Sequence, residues 1–352
     1  MKVLYFGTYE RHYPRNAQVV SCLRRAGVEV AERHVGVWEG REHKWHPGPA
    51  AAARLAASEL RLLRRPRETF DALIVGYPGH ADLPAARRTA RGRPLVFNPL
   101  VSLVDTLVTD RGRYRAGRLP ARTLAALDRR AFRMADLVVA DTGAHAEHLA
   151  RVTGARRIEV CFVGAEERVF RPGWEQADSF TALFVGKLIP LHGVETILAA
   201  ARLIPELRIR VVGSGQLDRL LDARPPNVEH VPWVEYEQLP AELHRASCAL
   251  GIFGTSAKAT RVIPNKTFQA LACGTPLVTS DTPAARELLR DGESALLVPP
   301  GDPQALAAAL RRLAGDPVLA DALSAGGLAA YRSQASEEVL GPRWRGLIES
   351  LL

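Results

Sequence analysis

Residues 261–287, RVIPNKTFQALACGTPLVTSDTPAARE, decide how this chain is read. Pro264 stands where a helix can begin, Thr267 to Cys273 is a good helix-forming run, and Gly274 supplies the stop. An apolar run ending near Phe253 predicts a strand before this helix, and Leu277 to Ser280 predicts another after it. A loop that enters a helix in this way is a seat for an anion. The first N–H groups of the helix lack internal partners, its dipole is positive there, and Lys266 stands in the same first turn.

Two further elements lie upstream. Phe184-Val185-Gly186-Lys187-Leu188 ends a strand, and Ile189-Pro190-Leu191-His192-Gly193-Val194 opens a helix. Arg210-Val211-Val212-Gly213-Ser214-Gly215 is a strand running into a glycine-rich turn. Together with residues 261–287 these motifs resemble the donor-binding segment of the family-four retaining glycosyltransferases, the group 1 glycosyltransferases of GT-B fold. The family pattern Pro-x-Lys-x-Phe-[Glu/Gln]-x-Leu-Ala-x-Gly-x-Pro is met from Pro264 to Pro276. The likeness is close over roughly residues 180–315 and looser over the N-terminal half.

The resemblance implies a site. In the family the two basic positions of a Gly-[Arg/Lys]-Leu…Lys-Gly element grip the donor diphosphate, which assigns Lys187 and His192. Imidazole at 192, where lysine is usual, has a reference pKa near 6.5, so His192 is expected to be a titratable phosphate ligand, with a helix-start role as the alternative. Many relatives carry two glutamates eight positions apart, where this chain has Arg261 and Gln269. The first usually lies against the donor sugar and the second holds the ribose; Gln269 can still bond a ribose, whereas Arg261 cannot copy a carboxylate. Gly186, Gly213, Gly215, Val231, Trp233, Pro264, Asn265, Lys266 and Thr267 complete the expected nucleotide-sugar contacts. Asn98 stands where many relatives place a histidine that touches the donor sugar.

The rest of the chain alternates. Apolar runs at Val3–Phe6, Val28–Ala31, Ala72–Val75, Leu95–Asn98, Leu137–Ala140 and Ile158–Phe162 are separated by helical stretches such as Asn16–Arg25 and Ala144–Val152. After a polar link at Glu166–Ser179 the rhythm restarts at Thr181–Val185, Arg208–Val212, Val228–His230, Ala249–Phe253, Leu277–Ser280 and Ala295–Val298. This is an α/β chain of two doubly wound parallel sheets. The expected division is an N-terminal acceptor-side Rossmann-like domain at 1–168, a donor domain at 169–335, and a helix at 336–352 returning to the first. The resemblance implies that the two face each other across a cleft. Ligands bind outside the carboxyl ends of such strands, so the N–H groups of Gly7 and Thr8 and the guanidinium of Arg15 are candidates to meet phosphate or acceptor, the alternative being a tight turn with a surface arginine. Asp105 is either an acceptor contact or a helix start.

At 352 residues the chain exceeds one ordinary core. It has 47% hydrophobic and 24% charged residues, and no apolar run long enough to span a bilayer. Lys2-Val3-Leu4 opens a strand rather than a leader, so a cytoplasmic location is expected. Cys22, Cys161, Cys248 and Cys273 are scattered in apolar segments and read as buried thiols. His145 with His148, and His43 with His46, complete no zinc set and read as solvated. No Gly-x-Ser-x-Gly elbow, dinucleotide fingerprint or Walker lysine is present, and no metal or other cofactor is expected. The formal net charge is +9, with arginines gathered at Leu60–Glu68 and Arg111–Arg133. No nucleic-acid motif surrounds them. They fit either a solvated basic face or a peripheral contact with an anionic acceptor or with lipid at the inner membrane face.

The functional expectation is a retaining transferase that moves a sugar from a nucleoside diphosphate sugar to a glycan, lipid-linked or small-molecule acceptor. A sugar-nucleotide epimerase or hydrolase of the same fold and a non-catalytic sugar-nucleotide binder are the alternatives, since Arg261 and Gln269 depart from the family pattern.

Overall fold

Ala72–Val75 and Leu137–Ala140 are apolar and buried at every position, the mark of strands covered on both faces. The computed structural model describes residues 1–37, 49–64, 68–175 and 179–352, apart from the side chains of 49–52. His43, His46 and part of the Leu60–Glu68 arginine cluster lie outside the described residues. The first elements are β1 (Lys2–Gly7), α1 (Pro14–Arg25), β2 (Glu29–His34), α2 (Pro49–Leu62), β3 (Ala72–Val75), α3 (Leu83–Ala90), β4 (Leu95–Phe97), α4 (Leu119–Met134), β5 (Leu137–Ala140), α5 (Gly143–Thr153) and β6 (Ile158–Val160). They continue with β7 (Thr181–Val185), α6 (Val194–Leu203), β8 (Arg208–Val212), β9 (Val228–Val231), α7 (Leu239–Arg245), β10 (Cys248–Leu250), α8 (Asn265–Cys273), β11 (Leu277–Ser280), β12 (Leu296–Val298), α9 (Pro303–Gly315), α10 (Pro317–Gln334) and α11 (Glu337–Glu349).

The chain divides into two compact units, one of Met1–Val163 with Glu337–Leu352 and one of Gly164–Ser336. In the first, the strand order is β2-β1-β3-β4-β5-β6, and every pairing is parallel. Alternation along β1 splits its side chains between the two faces. Val3 and Tyr5 join Leu23, Leu340 and Trp344 on one, while Leu4 and Phe6 join Leu73, Leu83 and Phe132 on the other. Helix α11 packs on α1 and so completes the first of these cores.

The second unit has the order β12-β11-β10-β7-β8-β9, again all parallel. Read from β7, this is the doubly wound order in which the chain moves outward to β8 and β9, then returns to β10 on the other side of β7. The switch point therefore lies between the carboxyl ends of β7 and β10. Two helices behind the sheet start on capped aspartates: Asp302 accepts from Ala305 N–H and Asp316 from Leu319 N–H, each at 2.9 Å, with Pro303 and Pro317 next in line.

Several local expectations are corrected. The segment after Ile189 first makes a short 3-10 turn at Pro190–His192, and α6 begins only at Val194. His145 is buried, not solvated, with Nδ1 2.5 Å from Asp141 Oδ1 one turn earlier. Asp105 opens a π-helix, Asp105–Asp110, and is itself buried. The four cysteines, by contrast, are buried and free as their apolar segments suggest.

Trp344 is buried against the face of α1, with the Arg15 guanidinium 5.3 Å from its ring centre. Trp344→Ala should therefore cost the first unit about 3–5 kcal/mol by urea denaturation. Val339→Ala, on the exposed side of the same helix, should change stability by less than about 0.5 kcal/mol.

Candidate functional site

The site is built where β7 ends. Gly186 follows that strand at φ 150°, a conformation open chiefly to glycine, and its carbonyl oxygen would lie 2.0 Å from a Cβ at Gly213. The two turns after β7 and β8 thus approach backbone to backbone, held by Gly186 N–H donating to Val212 O and Gly213 N–H to Val231 O, both at 2.9 Å. A Cβ on Gly186 would lie 2.8 Å from Lys266 Nζ and 3.3 Å from His192 Cε1. Amine and imidazole therefore converge on bare backbone.

Lys266 comes from the first turn of α8. Pro264 precedes that turn in an extended conformation, and no side chain among the described residues caps it. The Nζ sits 3.6 Å from the centre of the Phe184 ring and makes no hydrogen bond among the described residues. Burial alone drives its pKa well below the ordinary 10.5. An amine held out of water without an acceptor is costly, and the chemistry that relieves the cost is an anion.

His192 is buried beside the same ring, 5.7 Å from it in an edge-on arrangement. Its Nδ1 donates to the Lys187 carbonyl, which can only accept, so Nδ1 carries the proton and Nε2 is left as the second functional nitrogen. Lys187 itself is exposed. Gln269, a turn along α8 from Lys266, is buried with its amide near the Tyr236 hydroxyl, although no group among the described residues holds that oxygen in hydrogen-bond geometry. Arg261 ends a 3-10 turn and is half-buried, and Asn265 is half-buried at the head of α8. Trp233 is 71% exposed, its indole N–H donating to Glu235 at 3.1 Å. Gly215 packs on the backbone of Leu188. Thr267 Oγ1 and Ser280 Oγ, both without a partner among the described residues, line a void of about 10 Å³ beneath α8.

The first-unit candidates behave differently. Thr8 N–H and Oγ1 both donate to Asp82, at 2.8 and 2.9 Å. That carboxylate is fully buried, and burial, together with Asp82 itself, pushes the pKa of Glu59 beside it above the usual carboxyl range. Gly7 backs directly onto Asp82. Arg15 is a correction to the surface arginine: the guanidinium is fully buried, with Nε donating to Asn98 Oδ1 at 2.8 Å and Nη1 to the carbonyls of Cys161 and Phe162 at 3.0 and 2.8 Å, while Nη2 has no partner among the described residues. Asn98 is likewise enclosed, so in this conformation its amide serves Arg15 and not a sugar hydroxyl. The loop after β4 is instead organised by Asp128, which accepts from Ser102 Oγ and from the N–H groups of Leu103 and Val104.

With this geometry in place, two family models match the chain. Residues 4–166 match a glycosyl transferase 4-like domain, and residues 179–316 match the glycosyl transferases group 1. The chain belongs to the group 1 glycosyltransferases. It is 29% identical over 342 residues to the D-inositol 3-phosphate glycosyltransferase of a Nocardioides species, covering 86% of this chain and 72% of that protein. The corresponding protein of Thermomonospora curvata is 31% identical over 240 residues, 54% of this chain. Against that protein the chain spans about half the relative's length, 52%. A phosphatidyl-myo-inositol mannosyltransferase of Mycobacterium leprae is 35% identical over 162 residues, covering 43% of this chain and 42% of that protein. Among solved structures, sucrose-phosphate synthase of Thermosynechococcus elongatus superposes with a TM-score of 0.78 at 18% identity, covering 99% and 98% of the two chains. Anabaena HepE in complex with UDP-glucose gives 0.70 at 17% identity over the whole of both. These neighbours establish the GT-B fold.

Lys266 makes the pH dependence of stability testable. Because its folded pKa is lowered, the unfolded chain binds a proton that the folded chain does not. Stability therefore rises with pH from the lowered folded value up to about 10.5. Lys266→Met removes the cost, so at pH 7.5 it should melt above wild type by at least roughly 2–4 °C, the shift that 1 kcal/mol gives a unit of this size. The gap should close as pH approaches 10.5. Calorimetric scans of both proteins from pH 7 to 10 check this.

Proposed function

We propose that this chain is a retaining glycosyltransferase whose second unit seats the diphosphate of a nucleoside diphosphate sugar against Gly186, His192 and Lys266. The observation that carries the reading is the Lys266 amine, buried at the start of α8 without a hydrogen-bond partner among the described residues. The glycosyltransferase relatives support a sugar transfer, and Anabaena HepE, solved in complex with UDP and with UDP-glucose, supports a nucleotide-sugar donor.

Charge develops on the leaving diphosphate as the bond from the anomeric carbon to its oxygen breaks. Lys266, His192 through Nε2, Lys187 from the rim and the open N–H groups of α8 all stabilise that charge where it appears. The acceptor oxygen forms the new bond on the same face and gives its proton to a phosphate oxygen, so no protein nucleophile is required. Gln269 holds the ribose, with Val231 and Trp233 toward the base, and Arg261 replaces the usual acid near the sugar. The cations do the neutralising that a divalent metal would otherwise supply.

Incubation with a panel of nucleotide sugars should release nucleoside diphosphate only when an acceptor is present, unchanged by EDTA. Proton NMR couplings should show the donor's anomeric configuration kept. Release without any acceptor would favour a hydrolase, and an inverted anomer would overturn the retaining assignment. Lys266→Ala should lower turnover by about 10²- to 10³-fold.

The acceptor is proposed to be reached at an anionic surface. The stretch Arg111–Arg133 carries eight arginines and one acid, Asp128, which is buried. Leu119 and Leu127 are exposed among them, 76% and 48%. No helix of the described residues is long and apolar enough to cross a membrane. Each basic residue at an anionic bilayer contributes roughly 1 kcal/mol, screened by salt. The protein should sediment with phosphatidylserine vesicles at low salt and leave them at high salt; equal failure with anionic and neutral vesicles would remove this contact.

A further inference from the structure

We propose that Lys266 is a neutral amine in the free protein, takes a proton from solvent as the donor diphosphate enters, and returns it to solvent when the nucleoside diphosphate leaves. This deepens the donor-seat reading and rests on it. The geometry carries it. The Nζ lies over the Phe184 ring, 3.6 Å from its centre, without a hydrogen-bond acceptor among the described residues. Cation and ring quadrupole attract one another, but a ring does not replace the oxygen atoms that an ammonium loses on leaving water. The lowered pKa of the free amine agrees with this, and burial is its only named cause.

The surroundings hold few groups that could keep the charge instead. Strand β7 offers Phe184 and no ionisable side chain, and β11 offers none. Strand β10 contributes only the buried Cys248 thiol, whose pKa burial pushes up. On α7, Glu242 is paired with Arg210, Arg245 with Glu175, and His244 is bonded to the Arg171 carbonyl. On α10, Asp321 and Arg332 are exposed, and the Tyr331 hydroxyl bonds to Ala165 and Glu167. Along α8 itself, the Cys273 thiol is pushed up to about 12 by burial. His192 also approaches Gly186, and it is a second cation when protonated, not a counter-ion.

A diphosphate changes this balance. Its oxygens are the missing acceptors and its charge favours the ammonium, so anion and proton arrive together. A free protein that keeps the amine neutral avoids the larger cost of a bare buried charge. Only a ligand with enough negative charge can draw the proton in, which discriminates diphosphate from uncharged sugars and nucleosides. Between the free and complexed pKa values, donor affinity should weaken about tenfold for each unit of rising pH.

The chain has five lysines, Lys2, Lys44, Lys187, Lys258 and Lys266, so the side-chain 13Cε signals of a lysine-labelled sample are few. The signal missing from folded Lys266→Met is that of Lys266. At pH 8 it should have the shift of a neutral amine in the free protein. On saturation with whichever of UDP, GDP or ADP binds, it should move to that of an ammonium. Calorimetry in two buffers of different ionisation heat should show net proton uptake that persists in His192→Gln and falls by close to one proton in Lys266→Arg. A Lys266 already charged when free, or one that stays neutral in the complex, overturns the proposal and leaves the donor seat standing. Uptake lost in His192→Gln but kept in Lys266→Arg overturns it too, by moving the proton to the histidine. If none of the three nucleotides binds, the donor reading itself fails and this proposal fails with it.

Discussion

An amine held out of water over the face of Phe184, with no acceptor for its protons among the described residues, is the constraint around which the second unit is arranged. The close glycine contact between the turns after β7 and β8 leaves bare backbone beside it. The doubly wound order places this spot at the switch point, and the uncapped start of α8 turns its N–H groups the same way. Each feature alone is ordinary. Their coincidence at one buried amine is what supports the proposed seat for an anion with several acceptor oxygens.

The first unit spends its polar groups differently. Tyr5, Asn16, Asn98 and Arg15 form a buried chain in which Tyr5 donates to Asn16 at 2.8 Å and Arg15 to Asn98. Arg15 then reaches the carbonyls of Cys161 and Phe162 and covers Trp344 of α11. The side chain therefore joins the end of β4, the end of β6 and the last helix. A buried guanidinium served by carbonyls is a structural tie, and removing it would leave those carbonyls unsatisfied. Asp82 does similar work for the turn at Gly7 and Thr8.

Much of this was legible in the chain. Ala72–Val75, Leu137–Ala140 and Leu277–Ser280 stand as strands at the bounds expected of them, because a strand buried on both faces leaves a continuous signature, and Thr181–Val185 and the partly exposed Arg208–Val212 keep their expected bounds too. Pro264, Lys266 and Gly274 likewise mark α8. The first-unit site was less legible for a physical reason: whether Arg15 or Thr8 faces a ligand depends on partners 74 to 147 residues away. No local pattern reveals such partners. Asp82 carried a faint signal, an aspartate just before Leu83-Pro84, which reads as the start of a helix but not as the acceptor for Thr8. Phe184 was quoted as a strand residue; its role under Lys266 follows from the strand alternation only once the partner helix is in place.

The measurement that tests this account most directly is a crystal structure of the protein saturated with the nucleoside diphosphate it binds among UDP, GDP and ADP. The account predicts a diphosphate oxygen within about 2.7–3.2 Å of Lys266 Nζ, with the phosphates over Gly186 and at the start of α8. A diphosphate bound elsewhere, with the Lys266 amine still enclosed over Phe184 and without an acceptor, would contradict it.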